Sequence, residues 1–404
     1  MLGIWFNFSD LIFSRKPHID YECLKLLGFT DAYVLIKGRG FDHRSRPEYR
    51  AELDRLFEEL HRQDIRTHGV FYCSDDRNYV EMYPDRSDIT ILGNRSKRKI
   101  SHLDSNYVDY LVDSITTAVQ EYELNGIQFD FVRYGVIGNG WGPEEEAIYS
   151  SFGVDVSKLK NDLLAKYDES KPRCNVDSIL NRYAERDEQL IALASGRRSV
   201  ICGFLRTLTD RIRVVLPGRE LSVTMMPEAF YSPWKLNSVL HYGQAVEDFY
   251  PWIDRVVPMV YSGIFGMNDK WVETIVRTVA EQYPGSIIGL DSVQPRTGIN
   301  VQSDMNIIHG LENAGVCIFR YGRMIFEAKD GKDTLLYNTY PGTVTRLVLR
   351  RGADEHTQDC ELEEASWLRI TGHWDEIRAF GAFDADDPPH YDGELCVLKG
   401  DSLL

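Results

Sequence analysis

One short run, Asn125-Gly126-Ile127-Gln128-Phe129-Asp130-Phe131-Val132-Arg133-Tyr134, sets a carboxylate, a cation and a phenol at the end of an apolar stretch. Ile127, Phe129 and Phe131 alternate with Gln128, Asp130 and Val132, and a period of two predicts a strand over Gly126–Val132. Asp130 then shares a face with Gln128. An acid at the C-terminal end of a parallel strand stands where α/β barrels carry their chemistry. Two further acids fit the same pattern. Glu228 follows the strand-like Leu221–Met226 in phase with Ser222 and Thr224, and Asp291 closes Ser286–Asp291 after Gly289. Carboxyl groups from different strands converging on one cleft are the apparatus of glycoside hydrolysis, where one is protonated to donate to the leaving oxygen. An ion pair or a helix cap is the structural alternative for each.

Cations and aromatic rings gather at the same strand ends. Lys37, Arg39, Arg133, Arg296 and Arg320 are the cations, and Tyr72, Tyr134, Trp141, Tyr231, Trp234, Tyr261 and Tyr321 the rings. A flat ring with a polar edge suits the C–H face of a sugar. A guanidinium can hold a substrate oxygen or keep a nearby carboxylate ionised. From these, Lys37, Arg39, Arg133, Tyr134, Trp141, Tyr261, Arg320 and Tyr321 are the expected substrate-binding residues. For Arg133 the structural alternative is a pair with Asp75, Asp76 or Asp291. The bolder expectation is an anionic sugar, such as a uronic acid, met by a cationic mouth. Met225, Met226 and Met259 read as core filling.

The elements that must position these groups alternate in type. Strand-like runs at Leu2–Phe8, Ala32–Lys37, Thr67–Cys73, Gly126–Val132, Leu221–Met226, Val256–Tyr261, Ser286–Asp291 and Val316–Tyr321 are separated by helical patterns. Pro47–Gln63 carries proline in its first turn and Leu53, Leu56, Phe57 and Leu60 on one face. Asp104–Tyr122 has Asp104 as its N-cap and a stripe of Val108, Leu111, Val112, Ile115 and Val119. Ile201–Val215, Asp269–Tyr283 and Ser303–Ala314 complete the rhythm. Eight βα units predict an α/β chain with a (β/α)8 TIM barrel over residues 1–330. A doubly wound sheet would show a Gly-rich phosphate loop after an early strand, and none occurs.

Two segments interrupt the rhythm. Residues 135–190 form a long insertion, and residues 74–103 form a loop that opens on Asp75-Asp76 and carries Arg95-Ser96-Lys97-Arg98-Lys99, which reads as a solvated basic face. Beyond residue 330 the helical period ends. Thr343–Leu349, Ser366–Ile370, Ile377–Phe383 and Glu394–Leu398 read as strands, with turns at Arg351-Gly352, Asp386–Pro389 and Asp392-Gly393. Residues 331–404 are therefore expected to form a small β domain that braces the barrel, with carbohydrate binding as the alternative role.

The net charge of −16 argues against a general nucleic-acid or anionic-membrane binder. No apolar run approaches the ~20 residues of a membrane span. Met1–Phe8 lacks a basic leader and runs into a strand, so the expectation is a cytoplasmic protein, or a secreted one whose signal has been removed. The seven cysteines, Cys23, Cys73, Cys174, Cys202, Cys317, Cys360 and Cys396, show no CxxC spacing, which favours free thiols over a disulfide framework or a zinc site. His18, His43, His61, His68, His102, His241 and His309 are dispersed, with no HxxxH or HExxH pair, and no GxSxG elbow is present.

The Asn125–Tyr134 run resembles the DGIxxDYxRYP strand motif of a predicted glycoside-hydrolase-like TIM-barrel family, with Asn125 in place of the usual acid and Gly135 where proline is common. Leu103-Asp104-Ser105-Asn106 and Tyr110-Leu111 resemble that family's approach to the strand, and Arg198 its Trp-Arg pair without the tryptophan. Gly243-Gln244, followed by Phe249 and Trp252, resembles its GQxW segment, and Asp254-Arg255-Val256-Val257-Pro258-Met259-Val260-Tyr261 its DxVxPMxY strand. The resemblance spans roughly residues 1–325. It implies a TIM-barrel glycosidase-type site with Asp130 as the leading acid and Arg133 and Tyr261 lining it. Glu228 and Asp291 rest on strand phase alone.

The expected function is hydrolysis of O-glycosidic bonds in a poly- or oligosaccharide. Asp130 is the acid/base, Glu228 or failing that Asp291 the second carboxylate, and no metal or cofactor is required. A non-catalytic glycan-binding barrel is one alternative. A metal-dependent hydrolase or lyase using Asp75, Asp76 and Asp130 is the other. Oligomeric state is not readable from the chain.

Overall fold

The computed structural model describes residues 1–7, 18–45, 47–165, 186–231, 235–291, 307–308, 314–330, 332–384 and 390–399. Cys174, Trp234, Arg296, His309, the Asp386–Pro389 turn and all but three residues of the predicted Ser303–Ala314 helix lie outside them. Eight parallel strands form a closed barrel: β1 (Leu2–Phe6), β2 (Asp31–Gly38), β3 (Arg66–Tyr72), β4 (Gly126–Asp130), β5 (Glu220–Met225), β6 (Arg255–Val260), β7 (Ile287–Asp291) and β8 (Gly315–Phe319). Each pairs with its neighbour in sequence, and β1 closes the ring by pairing with both β8 and β2. All eight residues of β2 are buried, as expected of a parallel strand covered on both faces.

The helices that cover the barrel follow their apolar periods. They are α1 (Tyr21–Leu26), α2 (Pro47–Arg62), α3 (Ser105–Tyr122), α4 (Glu188–Val215) and α5 (Asp269–Gln282). Asp104 caps α3 by accepting the Asn106 N–H at 3.0 Å. The predicted Ile201–Val215 helix is only the second half of α4, which begins at an Asp187 cap inside the expected insertion. The rest of that insertion includes two helices, Pro143–Ser151 and Val156–Leu164. Trp141, Tyr149, Leu159, Leu163, Leu190 and Leu193 make a core of their own beneath it.

The C-terminal strands form two antiparallel sheets. Strands β9 (Ile325–Asp330), β10 (Asp333–Asn338) and β13 (Trp367–Ile370) make one. Strands β11 (Gly342–Arg351), β12 (Asp354–Leu362), β14 (Glu376–Asp384) and β15 (His390–Lys399) make the other. Strand β12 was not predicted. It is an edge strand of mostly exposed polar residues, so no alternation marks it. The turn expected at Asp392-Gly393 is instead strand: Gly393 pairs with Gly381 within β15, beside a register shift. A shared core of Leu336, Val344, Leu347, Leu362, Ile377 and Leu395 holds the two sheets together.

By packing, the chain forms two compact units. Met1–Leu35, Arg55–His68 and Met259–Leu404 make one, and Ile36–Asp54 with Gly69–Pro258 make the other. No helix among the described residues is long and apolar enough to cross a membrane.

Candidate active site

Strand β4 stops at Asp130 because Phe131 turns into the left-handed region, with φ of 57°. The predicted strand ran two residues further. A bulky residue there costs on the order of 1–3 kcal/mol, and local hydrogen bonds hold it. The Cys73 N–H donates to the Asp130 carbonyl at 2.7 Å. Ser74 Oγ lies 2.5 Å from the Phe131 carbonyl and 3.0 Å from that of Arg133. The turn also brings the Phe131 N–H onto its neighbour's side chain, 2.7 Å from Asp130 Oδ1. Thr224 on β5 donates its hydroxyl to the same oxygen at 2.5 Å. Asp130 Oδ1 thus takes two donors, while Oδ2 takes none among the described residues. Burial raises the affinity of this carboxyl for a proton, against the opposing pull of Thr224, Arg133, the Phe131 amide and Lys99.

Glu228 stands three residues past the end of β5, on the single 3-10 turn Pro227–Ala229, and is 8% exposed. The strand alternation that predicted its direction ends at Met225, so the turn sets its position. Gln244 holds this turn against β4. Its Oε1 accepts the Met226 N–H at 3.0 Å, and its Nε2 donates toward the carbonyls of Val132 at 3.2 Å and Thr224 at 3.4 Å. Gly243, before it, has φ of 71°, and a β-carbon there would meet Ile201 Cγ1 at 2.6 Å and the Arg197 carbonyl at 2.9 Å. Glycine is therefore required for Gln244 to enter the core.

Around Asp130 the cations divide into those with carboxylate partners and one without. Lys37 is buried and pairs with Asp76 at 2.6 Å, with the Tyr107 hydroxyl at 3.3 Å. Arg39, Arg98 and Lys99 all reach the single oxygen Oδ2 of the buried Asp75, at 3.1, 3.4 and 3.4 Å. Arg133 makes no ion pair among the described residues. Its guanidinium lies over the rings of Phe131, at 4.6 Å, and Tyr242, at 5.4 Å. Lys99 covers the Phe131 ring as well, at 4.9 Å. Burial, with Arg133 and Arg98 nearby and Asp75 opposing, brings the Lys99 ammonium down to about 8. The basic run that reads as a solvated face therefore sends one of its lysines inward. Short local pairing explains this: Asp75 bridges to Lys99 as an isolated β-pair, beside the hairpin Ser87–Ile89/Arg95–Ile100.

The remaining predicted residues are placed elsewhere. Tyr134 is buried with the Arg197 guanidinium 4.1 Å over its ring and His102 packed edge-on. Trp141 is buried too, its Nε1 donating to the Ile137 carbonyl at 2.7 Å. Neither ring presents a face to solvent; both support the insertion. In the other compact unit, Asp291 ends β7 and accepts the N–H groups of Ile264 at 3.0 Å and Gly263 at 3.4 Å. Burial pushes this carboxyl up to about 6, with those amides opposing. In the same unit Tyr261 stacks on Phe319 at 5.3 Å, and Trp5 meets Phe319 edge-on at 5.5 Å. Arg320 is fully buried beside Phe319. Tyr321 is buried on Phe6, with its hydroxyl donating to the His18 carbonyl at 2.9 Å and 3.3 Å from that of Tyr337.

Four residues that touch Asp130 or its turn escaped the site prediction: Ser74, Lys99, Thr224 and Gln244. Only the β5 phase signalled Thr224. Ser74 and Gln244 come from loops, and Lys99 from a short hairpin strand outside the barrel, whose geometry the barrel's strand periodicity does not describe.

Among solved structures, the chain is similar to the PgaB (BpsB) glycoside hydrolase domain from Bordetella bronchiseptica, with a TM-score of 0.54, 13% identity, and coverage of 74% of this chain and 86% of that one. It is also similar to the beta-galactosidase from Bacillus circulans sp. alkalophilus, with a TM-score of 0.53, 11% identity, and coverage of 80% of this chain and 50% of that one. At these identities the likeness is one of fold. No protein-family model and no curated protein matches the chain.

Proposed function

We propose that the protein is a glycoside hydrolase that cleaves O-glycosidic bonds of a poly- or oligosaccharide by carboxylate acid/base catalysis. The observation that carries this reading is the Asp130 carboxyl: buried at the C-terminal end of a barrel strand, held toward its protonated form, and with one oxygen fixed by two donors. With Oδ1 tied to Phe131 and Thr224, Oδ2 carries the proton that passes to the leaving glycosidic oxygen. Glu228 is the second carboxylate, because the Thr224 hydroxyl and the Gln244 amide couple its turn to the Asp130 strand. It acts as nucleophile in a retaining reaction or as the base for water in an inverting one. Similarity of fold to a glycoside hydrolase domain and to a beta-galactosidase supports the class of reaction. A metal-dependent reading through Asp75 and Asp76 is disfavoured, since both carboxylates already bind lysine or arginine.

The test is release of reducing ends from a broad glycan panel by the wild type, Asp130→Asn and Glu228→Ala, each with and without chelator. Release by the wild type, insensitive to chelator and lost in Asp130→Asn, is expected. Partial restoration of Glu228→Ala by azide would identify a nucleophile. Full activity of Asp130→Asn on unactivated glycans would remove Asp130 from the mechanism, and loss of activity on chelation would replace the mechanism itself.

A further inference from the structure

The charge around Asp130 does not balance. Arg39, Arg98 and Lys99 share one carboxylate oxygen of Asp75, and Arg133 has no carboxylate at all among the described residues. Asp130 is the other carboxylate beside these cations, and burial raises its proton affinity. Four cations therefore face two carboxylates, Asp75 and Asp130, in a protein whose net charge is −16. The surplus is local and runs against the composition. Arg39 and Arg98 are 48% and 43% exposed and are screened by water, whereas the Lys99 side chain is 12% exposed.

Lys99 and Arg133 also converge on one object, the ring of Phe131. A ring attracts cations but carries no net charge, so it holds the two together without neutralising them. Their repulsion contributes to the low proton affinity of Lys99. The ring stands there only because Phe131 adopts a left-handed backbone directly after Asp130, with its N–H on the Asp130 carboxyl. Both cations act on the Asp130 carboxyl, so an anion bound by them would lie beside the proposed acid.

We propose that the substrate carries an anionic substituent, a carboxylate or a sulfate ester, bound between the Lys99 ammonium and the Arg133 guanidinium beside Asp130. This rests on the glycosidase reading of the same site, but it concerns binding and is tested by binding. Calorimetric titration at low salt would compare oligosaccharides of one backbone in neutral, uronate and sulfated forms against the wild type, Arg133→Gln, Arg133→Lys and Lys99→Met. The uronate or the sulfated form is expected to bind at least about tenfold more tightly than the neutral one, as charge-assisted hydrogen bonds do. Whichever of the two leads identifies the anion. Arg133→Gln and Lys99→Met should each remove most of that preference while leaving neutral binding in place, and Arg133→Lys should restore part of it. Equal affinity for neutral and charged forms would overturn the proposal, as would a preference that survives both Arg133→Gln and Lys99→Met. A preference for anionic sugars without hydrolysis of any glycan would uphold this inference and overturn the proposed reaction. Hydrolysis of neutral glycans without that preference would do the reverse.

Discussion

Asp130 and Asp291 each close a parallel strand of the barrel, and burial raises the proton affinity of both. Their partners differ in kind. Asp291 is met by two backbone N–H groups of a short turn, near a stack of aromatic rings. Asp130 is met by a hydroxyl, one backbone amide and the field of two cations, and one of its oxygens has no donor among the described residues. Fixed amides hold a carboxyl still. A carboxyl with one oxygen open and cations beside it can exchange a proton with something that arrives. The contrast teaches that an acid at a strand end is not enough, and that its remaining hydrogen-bond capacity distinguishes a chemical role from a structural one.

The largest effect should separate the two acids by activity. Asp130→Asn is expected to lower kcat on poorly activated glycosides by about 10²–10⁴-fold with little change in KM, whereas Asp291→Asn should cost about tenfold or less. Steady-state kinetics on one substrate would check both, and equal losses would end the distinction. Next comes the scaffold on the Asp130 side. Gln244→Ala strands the buried groups of Val132, Thr224 and Met226, and should destabilise the protein by about 2–4 kcal/mol in urea denaturation, with kcat falling as well.

The third prediction sharpens the Asp291 side. A carboxyl raised to about 6 in the folded state destabilises the protein above that pH and not below the unfolded value near 4. Asparagine, with a single acceptor oxygen, keeps one of the Gly263 and Ile264 amides and loses the other, a cost that does not vary with pH. The stability of Asp291→Asn relative to wild type should therefore be lowest at pH 4, rise through pH 6 and level off above pH 7, about 2 kcal/mol higher. A difference independent of pH would contradict the burial argument. The smallest effect is Thr224→Val. Loss of the hydroxyl removes a donor that favours ionised Asp130, so the alkaline limb of the kcat/KM profile should move upward by roughly one pH unit. An upward shift of the acid limb instead would mean that Asp130 works as the ionised partner.

Eight short strand-like runs, too short for helices and separated by period-3.6 segments, were enough to mark the barrel. The same alternation set Asp130 on the face it shares with Gln128, because side chains of a strand have only two sides to choose from. Hydrophobic pattern marked four of the C-terminal strands but missed β9, β10 and the polar edge strand β12. What the sequence could not decide lies where the strands stop. Tyr134 and Trp141 have the composition of sugar platforms yet are consumed by the core of the insertion. Lys99 belongs to a basic run that looks solvated yet is drawn inward by Asp75. Gln244 reaches Val132 across 112 residues of chain, and Thr224 reaches Asp130 across 94. Such contacts depend on where loops return after the barrel has closed. No local period encodes that return, so only the tertiary structure decides which groups surround the acid that the sequence had marked.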